Sequence, residues 1–300
     1  MRTALSGLAG LTLAAGGGML LWRAADHRAD RAEMDRLLAL QPAAPPRFDP
    51  GMVADLPEPA RRFFRFAIAE GTPLRTVAEI GMRGLFSLEA GRGHMPMRAS
   101  QVLAAPHGFV WAMAAGRGAM RLSGSDSGRW TRFWLAGAVP VARLGGGADH
   151  ARSAFGRMVA EAAFWTPAAL LPGPGVAWQA ADPDSARVTV SHGNLVQDVT
   201  VTVDAGGRPL QVAFPRWSNA NPRHVWQVQP FGGHLSGFRA FGGFRLPADV
   251  EAGNFFGTED YFPFFVAEVT GIRFPAPRRR ASGRAFGRAS GAPDGEPRHE

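Results

Sequence analysis

From residue 76 to residue 274 the chain keeps returning to one short phrase, in which apolar and polar residues alternate until Gly, Asp, Asn or Pro intervenes. "TVAEIGMRGLFSL", "MPMRASQVLAA", "GFVWAMAA", "ARVTVSH", "LVQDVTVTVD" and "HVWQVQPF" are examples. Alternation sends successive side chains to opposite faces, so each stretch reads as a half-buried strand and the succession as an antiparallel meander. Helices do not alternate with these strands, which argues against a doubly wound parallel sheet. One helical insert breaks the run, "DHARSAFGRMVAEAAFWTPAALLP", with Asp149 as its cap and Phe155, Met158, Val159, Ala162 and Phe164 or Trp165 turned inward.

The triplet Phe-Gly-Gly occurs at Phe231 and again at Phe241, ten residues on. A phosphate loop would need a lysine after its glycines and a strand-to-helix junction. Here Phe238 and Arg239 follow Gly237, and strands flank both sides. The glycine pairs Gly232, Gly233, Gly242 and Gly243 therefore read as relief points where two neighbouring strands bend together, with Gly257 a further structural glycine. A sheet that curves in this way tends toward a half barrel. "SGSDSG" at Ser123 places Asp126 where a nucleophile elbow would carry serine, and reads as a turn.

"PRWSNANP", "PFGG", "FGGFRLP" and "FFGTEDYFPFFVAEV", preceded in order by "LPEPARRFFRFAIAEGTPL", "GRWTRFWLAGAVPV" and "ARSAFGRMVAEAAFWTPAALLP", resemble an uncharacterised bacterial family, domain of unknown function 6544. The resemblance runs from about residue 55 to residue 274. Ser218 stands where that family usually has glycine, and "GTEDY" carries an acid where a base is common. The resemblance implies no reaction.

Residues 4 to 22 contain no charge, and at about 1.5 Å per residue a helix of that length matches a hydrocarbon core. Residues 1–23 are thus expected to form a transmembrane anchor or signal, more in keeping with an uncleaved anchor. Residues 24–50 follow as a helical stalk and a Pro-rich linker, "QPAAPPRFDPG". Residues 51–275 form the β-rich domain, opened by the helix "DLPEPARRFFRFAIAEG", and residues 276–300 an Arg-rich disordered tail. The expected fold is α+β and mostly β: a curved antiparallel sheet, half-barrel or barrel-like, with a few packing helices after an N-terminal transmembrane helix. The expected location is the cytoplasmic membrane with the globular domain on its outer face.

All 33 basic residues counted as Lys plus Arg are arginine, and cysteine is absent. Schiff-base chemistry, thiolate metal sites, iron–sulfur clusters and a cysteine nucleophile are excluded. The formal charge of +8 is dispersed among acids, which argues against a nucleic-acid groove. No His-x-x-x-His spacing asks for a metal, and no cofactor is called for.

Arg216 beside Trp217 and Asn219 either clamps an anionic head or makes an ordinary Asx turn. Glu161 pairs with Arg157 one helical turn earlier. Glu259, Asp260 and Tyr261 decorate a loop or supply acid/base chemistry. The residues expected to meet a ligand are Trp165, Arg216, Trp217, Asn219, Phe231, Phe241, Phe256 and Tyr261. The leading expectation is a non-catalytic, membrane-tethered module for an apolar or amphipathic molecule. Its rivals are a hydrolase or isomerase working near Arg216, Asp260 and Tyr261, and a structural protein of the envelope whose arginine tail touches anionic lipid.

Overall fold

The computed structural model describes residues 2–89, 91 and 93–276, with side chains from residue 17 onward. Six strands come first: β1 (Ala78–Phe86), β2 (Met95–Ala104), β3 (Gly108–Ala115), β4 (Leu122–Ser127), β5 (Trp130–Leu135) and β6 (Val139–Gly145). Five more follow: β7 (Val176–Asp182), β8 (Ser185–His192), β9 (Leu195–Val203), β10 (Pro209–Ser218) and β11 (Gln227–Ser236). The chain ends with β12 (Arg239–Phe241), β13 (Phe244–Leu246), β14 (Asp249–Asn254) and β15 (Phe262–Arg273). Within each of the first two groups, consecutive strands pair as a meander. β14 and β15 lie between the two meanders, joining β11 to β1 and giving a 13-stranded antiparallel sheet in the order β6-β5-β4-β3-β2-β1-β15-β14-β11-β10-β9-β8-β7.

The sheet is strongly curved. Helix α3 (Ala148–Trp165) leaves the edge strand β6, crosses the hollow face and delivers the chain to the other edge, β7. On the way it touches β2, β3 and β6 of one half and β9 and β10 of the other, which a flat sheet of this width would not allow. Turns from opposite halves also meet, with the rings of His107 and His192 5.1 Å apart. The edges β6 and β7 do not pair, so the sheet is an open half barrel. Helix α2 (Glu58–Ala67) is strongly amphipathic and buries Phe63, Phe64 and Ala67. Phe63 and Phe64 pack on Trp178 at ring separations of 5.9 and 5.3 Å, closing the half built from β7 to β9.

The two Phe-Gly-Gly triplets do different work. The first lies inside β11, where a methyl on Gly233 would land on the carbonyl oxygen of Glu251 in β14. Here the strands approach more closely than any side chain permits. The second is not a bend in a neighbouring strand, as its spacing suggested, but the turn of the separate β12–β13 hairpin. Gly242 and Gly243 adopt φ of 60° and 93°, and Phe241 pairs with Phe244 across them. A two-residue hairpin turn requires that backbone region, which only glycine enters freely. Gly257, at φ 81°, turns the chain between β14 and β15.

Helix α1 (Arg2–Leu38) departs from the solvated stalk expected of its charged half. Asp26, Asp30 and Glu33, spaced along one helical face, are all buried. Arg132 Nη2 donates to Asp30 at 2.6 Å, Arg143 Nη2 to Asp26 at 3.0 Å, and Trp134 Nε1 to Asp26 at 2.9 Å. Leu37 and Leu38 then pack on Val77, Val102 and Val110. The mixed charge is thus a docking face for the convex side of the sheet. The linker is pinned too: Gln41 donates to the carbonyls of Val77 and Pro275 and accepts from the amides of Thr76 and Val77.

Among the described residues no helix is long and apolar enough to cross a membrane. Most of the span expected at residues 4–22 consists of side chains outside the described residues, as does the tail beyond Ala276.

Candidate functional site

The main core fills the hollow of the sheet but does not fill it solid. A cavity of about 400 Å³ remains between α3 and the inner faces of β1, β3–β6, β10, β11, β14 and β15. Alternation explains its lining. The pairing that sets Phe214 opposite Phe231 puts both rings on the inner face, 5.3 Å apart, while Trp111 projects from β3 toward Phe133 and Phe265 at 6.4 and 6.2 Å. From α3, Phe164 and Trp165 close the roof. Leu88 and Val141 line the cavity yet remain 58% and 50% exposed, marking its opening to solvent.

One wall is charged. Asp126 comes from β4, Arg157 and Glu161 from α3, and Arg216 from β10. Arg157 donates from Nε to Glu161 Oε1 and from Nη1 to Asp126 Oδ2, both at 2.7 Å. Thr131 donates to Asp126 Oδ1, and Gln101 to Glu161 Oε2, both at 2.5 Å. Every oxygen of the two carboxylates is therefore engaged. Burial alone would lower the Arg157 pKa, but Glu161 and Asp126 outweigh it and raise it. With the Thr131 proton given to Asp126, the Thr131 oxygen accepts from His150 Nε2 at 3.1 Å. Burial lowers the His150 pKa, partly offset by Asp126.

Arg216 is the exception in this wall. Among the described residues its side chain makes no hydrogen bond or ion pair, and its Nε is buried without a partner. Its guanidinium lies 4.6 Å over the ring of Phe231. Burial, with the repulsion of Arg157 next, depresses its pKa to about 10 against the weaker pull of Asp126 and Glu161.

Of the residues expected to meet a ligand, Trp165, Arg216 and Phe231 line the cavity. Trp217, next in β10, points away and donates to Asp149 Oδ1 at 2.8 Å. Asp149 therefore does not cap α3, whose N-cap position is Gly147. Asn219 lies beyond the strand, and Phe241 belongs to the β12–β13 hairpin. Phe256 and Tyr261 pack 5.1 Å apart against His234, which alternates with the inward Phe231 and Gly233 and so faces outward.

Tyr261 donates to Glu251 at 3.2 Å, and burial followed by that carboxylate raises its pKa. Asp260 is exposed in the loop before β15. Arg216, Asp260 and Tyr261 are thus not gathered into one site. Asp126 was missed because "SGSDSG" is not a turn but most of β4. Its serines are buried and bonded, Ser125 Oγ donating to Asp30 and accepting from Trp130 Nε1.

A family model described as "Family of unknown function (DUF6544)" matches residues 46–267. No curated protein matches the chain significantly. Among solved structures, a LolA-superfamily protein from Nitrosomonas europaea is 9% identical at a TM-score of 0.34, covering 72% of this chain and 92% of that one. A putative outer membrane lipoprotein-sorting protein domain from Vibrio parahaemolyticus is 10% identical at 0.33, covering 66% and 85%. Likenesses this distant fix neither the ligand nor the activity.

Proposed function

The chain belongs to that family of unknown function, and from this premise we propose that it is a non-catalytic binding module holding an apolar or amphipathic molecule in the hollow of its sheet. The observation that carries this reading is the cavity of about 400 Å³, roofed by α3 and lined mainly by aromatic and aliphatic side chains. Its size falls within the roughly 300–1,000 Å³ of small-molecule sites, and its few polar groups sit on one wall, as expected of a pocket that orients an otherwise apolar guest. Acid/base chemistry is less well served, because both carboxylates of that wall already have a donor on each oxygen. Native mass spectrometry of delipidated protein is expected to register one fatty acid or phospholipid bound per chain. No uptake of either class would remove the reading.

Tethering of this module through residues 1–23, with the globular domain outside the cytoplasmic membrane, is part of the same proposal. It rests on the uncharged run at residues 4 to 22. The absence of cysteine makes topology directly measurable. A cysteine placed at exposed Gln179 is expected to react with an impermeant maleimide on intact cells, and protection until lysis would reverse the orientation.

A further inference from the structure

Resting on the reading that the cavity holds an amphipathic molecule, we propose that this molecule ends in an anionic oxygen head group, a carboxylate or a phosphate, and that Arg216 receives it. The argument is that the unpaired buried polar atoms of the lining residues are all donors. Each oxygen of Asp126 and Glu161 already accepts from Arg157, Thr131 or Gln101, and neither carboxylate bonds Arg216. Arg216 Nε, Trp111 Nε1 and Trp165 Nε1 all belong to lining residues, and all three are buried without an acceptor. A buried N–H left unpaired is costly, so a guest that brings acceptors is favoured over one that brings donors.

The guanidinium suits such a guest because its fork matches the oxygens of a carboxylate or phosphate. Held over Phe231 and bonded to no carboxylate among the described residues, it is already oriented by stacking. Its depressed pKa agrees with this, since its surroundings disfavour the cation and an added anion would relieve it. The formal charges of Asp126, Glu161, Arg157 and Arg216 cancel, and the carboxylate of the further lining residue Glu251 accepts from Tyr261 on the outer face, so the attraction is local to the unpaired donors. The aromatic remainder takes the tail. A volume near the lower end of the ligand-site range fits one chain better than two.

The test is titration calorimetry of the delipidated full-length protein with four amphiphiles of one chain length: dodecanoate, dodecyl phosphate, dodecanol and dodecyltrimethylammonium. At least one of the two anions is expected to bind about tenfold or more tighter than the alcohol, with the cation no tighter than the alcohol. The stronger of the two anions names the head group. Arg216→Met is expected to abolish the preference for the anion over dodecanol, and Arg216→Lys to keep part of it. Equal binding of alcohol and both anions by the wild type, or a preference that survives in Arg216→Met, would overturn the assignment while leaving the cavity reading intact. Failure of all four to bind would overturn both. Should Arg216→Met not fold, the wild-type series and Arg216→Lys still decide the matter.

Discussion

A missing methyl group lets two strands of the sheet's second half approach closely. Gly233 lies where the backbone of β14 crowds β11, and an alanine there would meet both the carbonyl of Glu251 and the Cα of Ala252. Neither is a flexible side chain that could step aside. Gly233→Ala is therefore expected to lose about 1–3 kcal/mol in urea denaturation. Gly128→Ala, where nothing lies within 4 Å, should stay within about 0.5 kcal/mol of wild type. Equal effects at the two positions would show that the close approach is not what selects glycine.

His150 makes a second residue-scale prediction. Thr131 and Asp126 face it, and burial holds its folded-state pKa below 6.5. The unfolded chain therefore takes up the proton first as pH falls. The contribution is complete above about pH 6.5 and disappears as pH drops toward the folded value. In His150→Gln the loss of stability between neutral pH and pH 5 is expected to be smaller than in wild type, read as melting temperature against pH. A steeper acid loss would reverse the sign.

At the scale of elements, α1 shows how a charged segment becomes part of a fold. Its acids occupy one face because they recur at helical spacing, and they meet Arg132 and Arg143 because alternation in β5 and β6 sends those side chains to the convex face. Burial would raise the Asp26 pKa, but the bonds from Arg143 and Trp134 and the charges of both arginines outweigh it, so the pKa is lowered. The pair therefore favours docking at neutral pH and weakens as pH falls through that lowered value. In Asp26→Asn/Asp30→Asn the half-buried Arg132 and the more exposed Arg143 lose their buried counter-charges, a change expected to fall below the roughly 3–5 kcal/mol of a fully buried pair because solvent screens the arginines. Limited proteolysis is expected to cut within residues 23–45 far faster than in wild type. An unchanged rate would mean that Leu37, Leu38 and Gln41 hold the helix without the ion pairs.

The same elements mark what was legible in the sequence. Strands such as β3, β8 and β9 announced themselves because β-branched and aromatic residues fill alternating positions. β4 did not, since serine, glycine and aspartate favour turns when isolated and serve as a strand only where neighbouring strands and α1 supply hydrogen bonds. β6 escaped as well, being an edge strand with a proline and many exposed positions. The landing of α1 on the sheet needed arginines more than a hundred positions away, which no local pattern carries.

The whole molecule depends on a conflict between packing and emptiness. Two meanders, stitched by β14 and β15 and spanned by α3, bury a core large enough to leave one region unfilled. The curvature that opens it was foreseeable from glycine and alternation. The charged wall was not, because Asp126, Arg157 and Arg216 come from three elements that meet only after the half barrel has formed.

That conflict can be measured directly. Ala160 lines the cavity from α3 and is buried. In Ala160→Phe the added ring enters space already present, so the delipidated variant is expected to be as stable as wild type or more so. A ligand at about a hundred times its Kd stabilises the native state by about 2.7 kcal/mol, so a single-chain amphiphile should raise the wild-type melting temperature by several degrees. The same amphiphile should move Ala160→Phe by less than half as much, because the room for it is gone. If the variant melts well below wild type, the space is too small to admit a ring. If it responds to the amphiphile as strongly as wild type, the guest binds elsewhere, and the hollow is only a packing defect.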